Sequence, residues 1–241
     1  MKKYHAYFLT LSLASSLTSH TSYQSTDFSI VKCTIQPTTY EQIWLTQLRD
    51  EHSTREQFRI AAHKLIEALV IKVYDCLQTK TVTINTPVAA CNGIALDDLV
   101  EHIVSVMRSG DIPLNIFSKH FPYAAINKIL IQRNEETAEP IFKYRKFSPT
   151  IAHAKKVIIT EPMIATGGTL SMVINLLKSH GVEEKNIIVA AICAAPEGLR
   201  QLEQQFPEIN VVLTVIDDHL NEKKYISPGL GDFGDRYFGT E

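Results

Sequence analysis

The stretch that decides the fold is Lys156-Val-Ile-Ile-Thr-Glu-Pro-Met-Ile-Ala-Thr-Gly-Gly-Thr169. Its apolar run predicts a short buried strand, and a turn of small residues follows the acidic Glu161. A helical pattern then runs from Leu170 to about His180. The stretch therefore predicts a strand, a loop and a helix, with the loop at the carboxyl end of a parallel strand. Open α/β sheets bind their ligands at that edge.

The loop in this stretch has the composition of a site for a phosphorylated sugar. Glycine lets the backbone approach a ligand closely, and the free N–H groups at a helix start attract an anion. The carboxylate of Glu161 suits a sugar diol better than a phosphate. A Walker loop and a dinucleotide fingerprint are both absent from the sequence, which disfavours a kinase or a dehydrogenase. An ordinary strand-to-helix connection remains the alternative.

The flanking segments continue the alternation of strands and helices. Further strands are predicted at 81–84, 102–107, 127–132, 140–147, 186–194 and 210–216, and further helices at 40–50, 54–75, 112–119 and 197–206. This order predicts an α/β fold, with a mostly parallel sheet flanked by helices and right-handed crossovers. One main domain is expected over residues 36–241, preceded by an extension over residues 1–35.

Composition excludes several classes of protein. The chain has 241 residues, of which 45% are hydrophobic and 21% charged, and this balance favours a buried core over disorder. A net charge of −2 argues against a protein that binds nucleic acids or membrane surfaces. The 4 cysteines form no C-x-x-C pair, so neither a zinc site nor a disulfide framework is indicated.

The first part of the chain has a different composition. Residues 1–26 contain no acidic residue, and their apolar run from Ala6 to Leu17 is shorter than the ~20 residues of a membrane span. A signal peptide, an organelle transit peptide and a poorly ordered extension all agree with this pattern.

A second group of chemically informative residues lies in the tail from Tyr225 to Thr240. Glycine repeats there beside aspartate and aromatic residues, and such a backbone can lie flat against a planar ligand and read its edge. Two arginines, Arg108 and Arg133, each follow an apolar strand. Guanidinium groups at that edge would bind a diphosphate, although a salt bridge would also explain Arg108.

These segments resemble the uracil phosphoribosyltransferase family. The resemblance rests on Glu161-Pro-Met-Ile-Ala-Thr-Gly-Gly-Thr169, on Arg133-Asn-Glu-Glu-Thr-Ala-Glu-Pro140 and on the tail after Tyr225, and it extends from about Leu45 to Thr240. It implies transfer of the phosphoribosyl group of 5-phosphoribosyl-1-diphosphate (PRPP) to N1 of uracil, giving UMP and diphosphate in pyrimidine salvage. It also implies a type I phosphoribosyltransferase core with a small hood built from the tail and N-terminal elements.

The resemblance assigns two sets of binding residues and no general base. The residues implied for PRPP are Arg108, Arg133, Glu161, Pro162, Met163, Ile164, Ala165, Thr166, Gly167, Gly168, Thr169 and Asp232. Those implied for uracil are Ile226, Gly231, Asp232 and Phe233. The implied cofactor is Mg²⁺ carried by PRPP, with no metal cage in the protein. A homodimer or homotetramer and a GTP effector are also implied. A cytoplasmic location is expected because PRPP is an intracellular metabolite, with the N-terminal signal or transit peptide as the alternative.

Three positions differ from the family pattern that the resemblance implies. Glu161 stands where aspartate is usual, Asp111 places a carboxylate near the expected diphosphate site, and Phe233 stands where alanine is common. An active salvage enzyme is the main hypothesis. The alternative is a catalytically weakened homologue that binds uracil or UMP as a sensor or scaffold.

Overall fold

The computed structural model describes residues 27–33, 36–97, 99–133 and 140–240. Its helices are α1 (Thr39–Arg49), α2 (Arg55–Asp75), α3 (Asp111–His120), α4 (Gly168–Ser179), α5 (Pro196–Gln205) and α6 (Phe233–Phe238). Its strands are β1 (Thr79–Asn85), β2 (Ala90–Leu96), β3 (His102–Met107), β4 (Ala125–Arg133), β5 (Pro140–Lys146), β6 (Val157–Thr160), β7 (Met163–Ile164), β8 (Ile187–Ala194), β9 (Asn210–Ile216), β10 (His219–Leu220) and β11 (Ile226–Ser227).

Seven strands form the central sheet, in the order β5, β4, β3, β6, β8 and β9, with the short β7 pairing the end of β8. Every neighbouring pair in this sheet is parallel except β4 with β5, which form the predicted hairpin. The predicted α/β fold with a mostly parallel sheet is therefore confirmed.

The central strands are apolar because helices cover both faces of the sheet. All residues of β6 and β8 are buried, and successive side chains point to opposite faces. Ile159 packs into a core that contains the apolar faces of α4 and α5. Ile158 packs on the other side, where α1, α2 and α3 meet the sheet. Thr54 and Gln57 form a capping box at the start of α2.

Two peripheral segments complete the described chain. Residues 27–33, from the stretch interpreted as an extension, pack beside β9, where Phe28 and Ile30 are buried. Residues 1–26 and 34–35 of that stretch lie outside the described residues. Strands β1 and β2 form an exposed antiparallel hairpin, of which only β1 was expected from the sequence. No helix among the described residues is long and apolar enough to cross a membrane.

The parallel arrangement brings the predicted site to one edge of the sheet. Strands β3 and β6 are paired in parallel, and so are β3 and β4. Their carboxyl ends therefore lie side by side. Arg108 follows β3, Glu161 follows β6, and Arg133 ends β4.

Candidate active site

A cleft of about 610 Å³ opens at the carboxyl edge of the sheet. Most of the residues that the sequence assigned to ligands line it: Arg108, Glu161, Met163, Ile164, Ala165, Gly167, Thr169, Ile226, Gly231, Asp232 and Phe233. Pro162, Thr166 and Gly168 lie in the same loop but outside the lining. The side chain of Arg133 and residues 134–139 lie outside the described part of the chain.

The loop before α4 is shaped by two glycines that face each other. Gly167 caps α4 with φ of 83°, a left-handed conformation that favours glycine. A Cβ atom on Gly198 would lie 2.2 Å from the carbonyl oxygen of Ala165, so only glycine lets α5 approach the loop so closely. The sequence analysis did not identify this role of Gly198. The close packing of α5 against this loop fixes the backbone N–H groups at the start of α4 in position.

The loops after β3 and β6 are packed against one another. The Thr160 hydroxyl donates to the Gly110 carbonyl oxygen at 3.0 Å. A Cβ atom on Gly110 would lie 2.2 Å from the backbone carbonyl oxygen of Thr160. The Ser109 hydroxyl lies 3.3 Å from Oε1 of Glu161. The carboxylate of Glu161 is thus held at the cleft wall by the neighbouring loop.

Arg108 lines the cleft and also forms the salt bridge that the sequence analysis considered. Its side chain is 53% exposed and lines the cleft. One guanidinium nitrogen lies 2.6 Å from Asp235, and another donates to the Thr240 hydroxyl at 3.0 Å. The hydrogen bond from Thr240 and then the one from Arg108 hold the pKa of Asp235 below its usual value. Arg108 therefore joins the cleft to the C-terminal tail.

The tail contains the helix α6, which the sequence analysis did not predict. The Asp232 side chain accepts from the Asp235 N–H at 2.9 Å and caps α6, and Gly239 ends it with φ of 75°. Both are ordinary helix boundary signals that the glycine content obscured. Phe233 packs on Phe58 with ring centroids 5.5 Å apart, so it lines the cleft and also anchors the tail to α2.

A buried ion pair holds the loop before α6, and sequence reasoning missed it. Arg49 on α1 contacts Asp217, which is 3% exposed, with an N–O distance of 2.5 Å. Both residues also hydrogen bond the backbone of Gly229, at 3.1 Å each. The partners are 168 positions apart, so no local pattern could reveal them.

Two further charged residues line the cleft: Asp111, which the sequence analysis placed near the expected diphosphate site, and Lys224, which it did not identify. Asp111 lines the cleft and lies 2.5 Å from the ammonium group of Lys128. Lys224 also lines the cleft. Its φ is 63°, and among the described residues it is the only non-glycine residue with a positive φ. The basic pair Lys223-Lys224, directly before the tail, was a signal for it.

Comparison with known proteins identifies the family of the chain. The family model for uracil phosphoribosyltransferase matches residues 35–240. The chain belongs to the uracil phosphoribosyltransferase family. A uracil phosphoribosyltransferase of Dictyostelium discoideum is 40% identical over 200 residues, which cover 81% of this chain and 90% of the relative. One from Dictyoglomus thermophilum is 36% identical over 197 residues, covering 82% and 94%.

Solved structures support the same fold. A protein from Aquifex aeolicus is similar with a TM-score of 0.71 and 27% identity, covering 88% of this chain and 99% of that chain. Adenine phosphoribosyltransferase from Trypanosoma brucei, solved with AMP, pyrophosphate and ribose-5-phosphate, has a TM-score of 0.54 at 12% identity over 85% of this chain and 88% of its own. The latter shows the fold alone. Family membership makes the chain a pentosyltransferase of pyrimidine salvage, as the sequence resemblance implied.

Proposed function

We propose that the cleft binds PRPP and uracil side by side and transfers the phosphoribosyl group to N1 of uracil. The observation that carries this proposal is the meeting, in one cleft, of the loop before α4, Arg108 and the tail from Ile226 to Phe233. The loop suits a ribose phosphate, the arginine suits a diphosphate, and the tail presents backbone groups beside a buried aromatic ring.

Each part of the cleft has a role in this proposal. The backbone N–H groups at the start of α4 bind the 5-phosphate, with the Thr166 and Thr169 hydroxyls as further donors. Glu161 accepts hydrogen bonds from the ribose hydroxyls. Arg108 and Arg133 bind the diphosphate. Ile226, Gly231 and Phe233 hold uracil, mainly through backbone atoms, and Asp232 lies between the base and PRPP.

The chemistry is a displacement at the anomeric carbon of the ribose. The bond from uracil N1 to that carbon forms as the bond to the diphosphate oxygen breaks, with inversion, and N1 releases its proton. The protein holds the three groups in line and stabilises charge on the leaving diphosphate. No side chain is assigned as the general base.

Magnesium carried by PRPP fits the ligands that this cleft offers. The described residues contain no cluster of three or more histidine, cysteine or acidic side chains that would hold a metal on its own. Mg²⁺ is commonly bound by substrate phosphates with one or two carboxylates, and Glu161 and Asp232 would supply those. Bound there, the ion would neutralise charge on the diphosphate.

Conversion of labelled uracil to UMP in the presence of PRPP and Mg²⁺ tests the proposed function. We expect turnover that requires all three components. Tight binding of UMP without any turnover would instead support the sensor or scaffold. The names of the relatives, which share 34–40% identity, favour the enzyme over that alternative.

Three further properties belong to the proposal through the family resemblance. We propose a homodimer or homotetramer, for which the exposed apolar side chains of the β1–β2 hairpin, such as Ile84 and Ile94, provide a contact surface. Sedimentation measurements on the intact chain test the oligomer. GTP activation is tested by adding GTP to the uracil assay. A cytoplasmic location, where PRPP is made, is tested by fractionation and by sequencing the mature N-terminus.

A further inference from the structure

We propose that Lys128 compensates the charge of Asp111 and thereby strengthens the binding of PRPP in the cleft. The inference rests on the proposed function, because it concerns the diphosphate of PRPP. Lys128 is a positioning residue that acts through Asp111. The sequence gives no reason to connect these two residues, which lie on different elements.

The contacts of Asp111 define a small charged cluster beside the cleft. Asp111 is the first residue of α3, three positions after Arg108, and its N–H donates to the Arg108 carbonyl oxygen at 3.2 Å. Its Oδ1 atom lies 2.5 Å from the ammonium group of Lys128 and accepts a hydrogen bond from the Ser105 hydroxyl. Ser105 and Lys128 are register partners on β3 and β4. The sheet itself therefore sets Lys128 opposite the carboxylate.

The charge balance of the cleft shows why this pair matters. Among the described lining residues, the acidic side chains are Asp111, Glu161 and Asp232, and the basic ones are Arg108 and Lys224. A ligand with a diphosphate and a phosphate would meet three carboxylates among these residues, and the carboxylate of Asp111 belongs to the start of α3, which follows Arg108. Lys128 does not line the cleft, but its positive charge offsets the negative charge of Asp111, the acidic lining residue nearest to Arg108 in the sequence. Both members of the pair are about one-third exposed, at 34% for Lys128 and 32% for Asp111, so their field is only partly screened.

A purely structural explanation accounts for only half of the arrangement. An acidic residue in the first turn of a helix is favourable on its own, which explains Asp111 at the start of α3. It does not explain why a lysine in β4 meets that carboxylate. The register partner of Lys128 on β5 is Lys146, which carries the same charge. Lys128 therefore does not neutralise any charge on β5. Compensation for the cleft explains both residues.

A double-mutant cycle tests the proposal. Lys128→Met leaves Asp111 uncompensated and should weaken binding of magnesium diphosphate and raise KM for PRPP by about tenfold, the scale of one partly screened charge. KM for uracil should stay unchanged. Asp111→Asn, which removes only the charge, should bind at least as tightly as the parent chain. The double variant should return to within about threefold of the parent, because the two changes share one interaction.

Matched variants separate this effect from damage to the fold. Lys128→Arg keeps the charge and should behave as the parent, and Lys119→Met, at the far end of α3, should change neither ligand. Binding is measured by titration calorimetry, which needs no turnover, and thermal unfolding is recorded for each variant. A double variant as weak as Lys128→Met would overturn the proposal, as would weaker binding by Asp111→Asn. If the parent forms UMP yet Lys128→Met binds diphosphate normally, only charge compensation fails. If the parent forms no UMP, the proposed function fails instead.

Discussion

Replacing Arg108 by alanine separates the two contacts that this side chain makes. In the cleft it is placed to bind the diphosphate of PRPP, and at its other side it holds Asp235 and Thr240 of the tail. We expect Arg108→Ala to weaken PRPP strongly and UMP only slightly, because UMP has no diphosphate.

The expected magnitudes follow from the exposure of the groups. A hydrogen bond between charged partners contributes about 1.5–3 kcal/mol, which corresponds to a loss in PRPP affinity of roughly 10- to 150-fold. The ion pair with Asp235 is different, because Arg108 is 53% and Asp235 33% exposed. Such a pair contributes at most about 1 kcal/mol to stability, or roughly 2–4 °C in Tm for a domain of this size.

Asp235→Asn is the matched control, since it removes the tail partner but keeps the guanidinium group. Affinities for PRPP and UMP are measured by calorimetry, and Tm by scanning calorimetry. We expect Asp235→Asn to lower Tm about as much as Arg108→Ala while changing PRPP affinity far less. Equal losses of PRPP and UMP in Arg108→Ala, reproduced by Asp235→Asn, would refute a binding role and leave Arg108 a structural residue.

Two further predictions concern backbone positions at the cleft. Gly198→Ala should push the Ala165 carbonyl away, lowering activity and lowering the free energy of unfolding by about 1–3 kcal/mol. Gly93→Ala is the control, because its Cβ would meet nothing nearer than 4.0 Å, and it should change neither property. Activity assays and urea unfolding measure both. Lys224→Gly should raise the free energy of unfolding by about 1 kcal/mol, because glycine adopts the left-handed conformation without strain. The same change should lower PRPP affinity several-fold, whereas Lys223→Ala should leave PRPP affinity unchanged. A Lys224→Gly chain that binds PRPP normally would remove Lys224 from the site.

The sheet and its order of elements were predictable because periodicity and punctuation agree there. The strand at His102–Met107 is a mostly apolar run bounded by Arg108-Ser-Gly110, and its predicted limits match the structure. Thr54 caps α2 in a box with Gln57, and this Thr-x-x-Gln pattern stands openly in the sequence. Such signals are local, so one sequence is enough to read them.

The tail and the links between elements were harder to predict, for physical reasons. Helix α6 has only six residues and is held mainly by packing of Phe233 on α2, which no short pattern reveals. The pair Arg49–Asp217 and the pair Asp111–Lys128 each join residues on different elements. A sequence shows which charges exist, whereas the fold decides which of them meet.

The three departures from the family pattern bear on whether the cleft is a maintained ligand site or a decayed one. A decayed site would leave unusual residues without local partners, since nothing would select for them. Here Glu161 has the Ser109 hydroxyl at 3.3 Å, Asp111 has Lys128 at 2.5 Å, and Phe233 packs between the rings of Phe58 and Tyr237. Each unusual side chain is matched by a neighbour on another element. Such matching is expected where substitutions were accommodated while the cleft kept its ligand, and it therefore favours a maintained ligand site over a vestigial one.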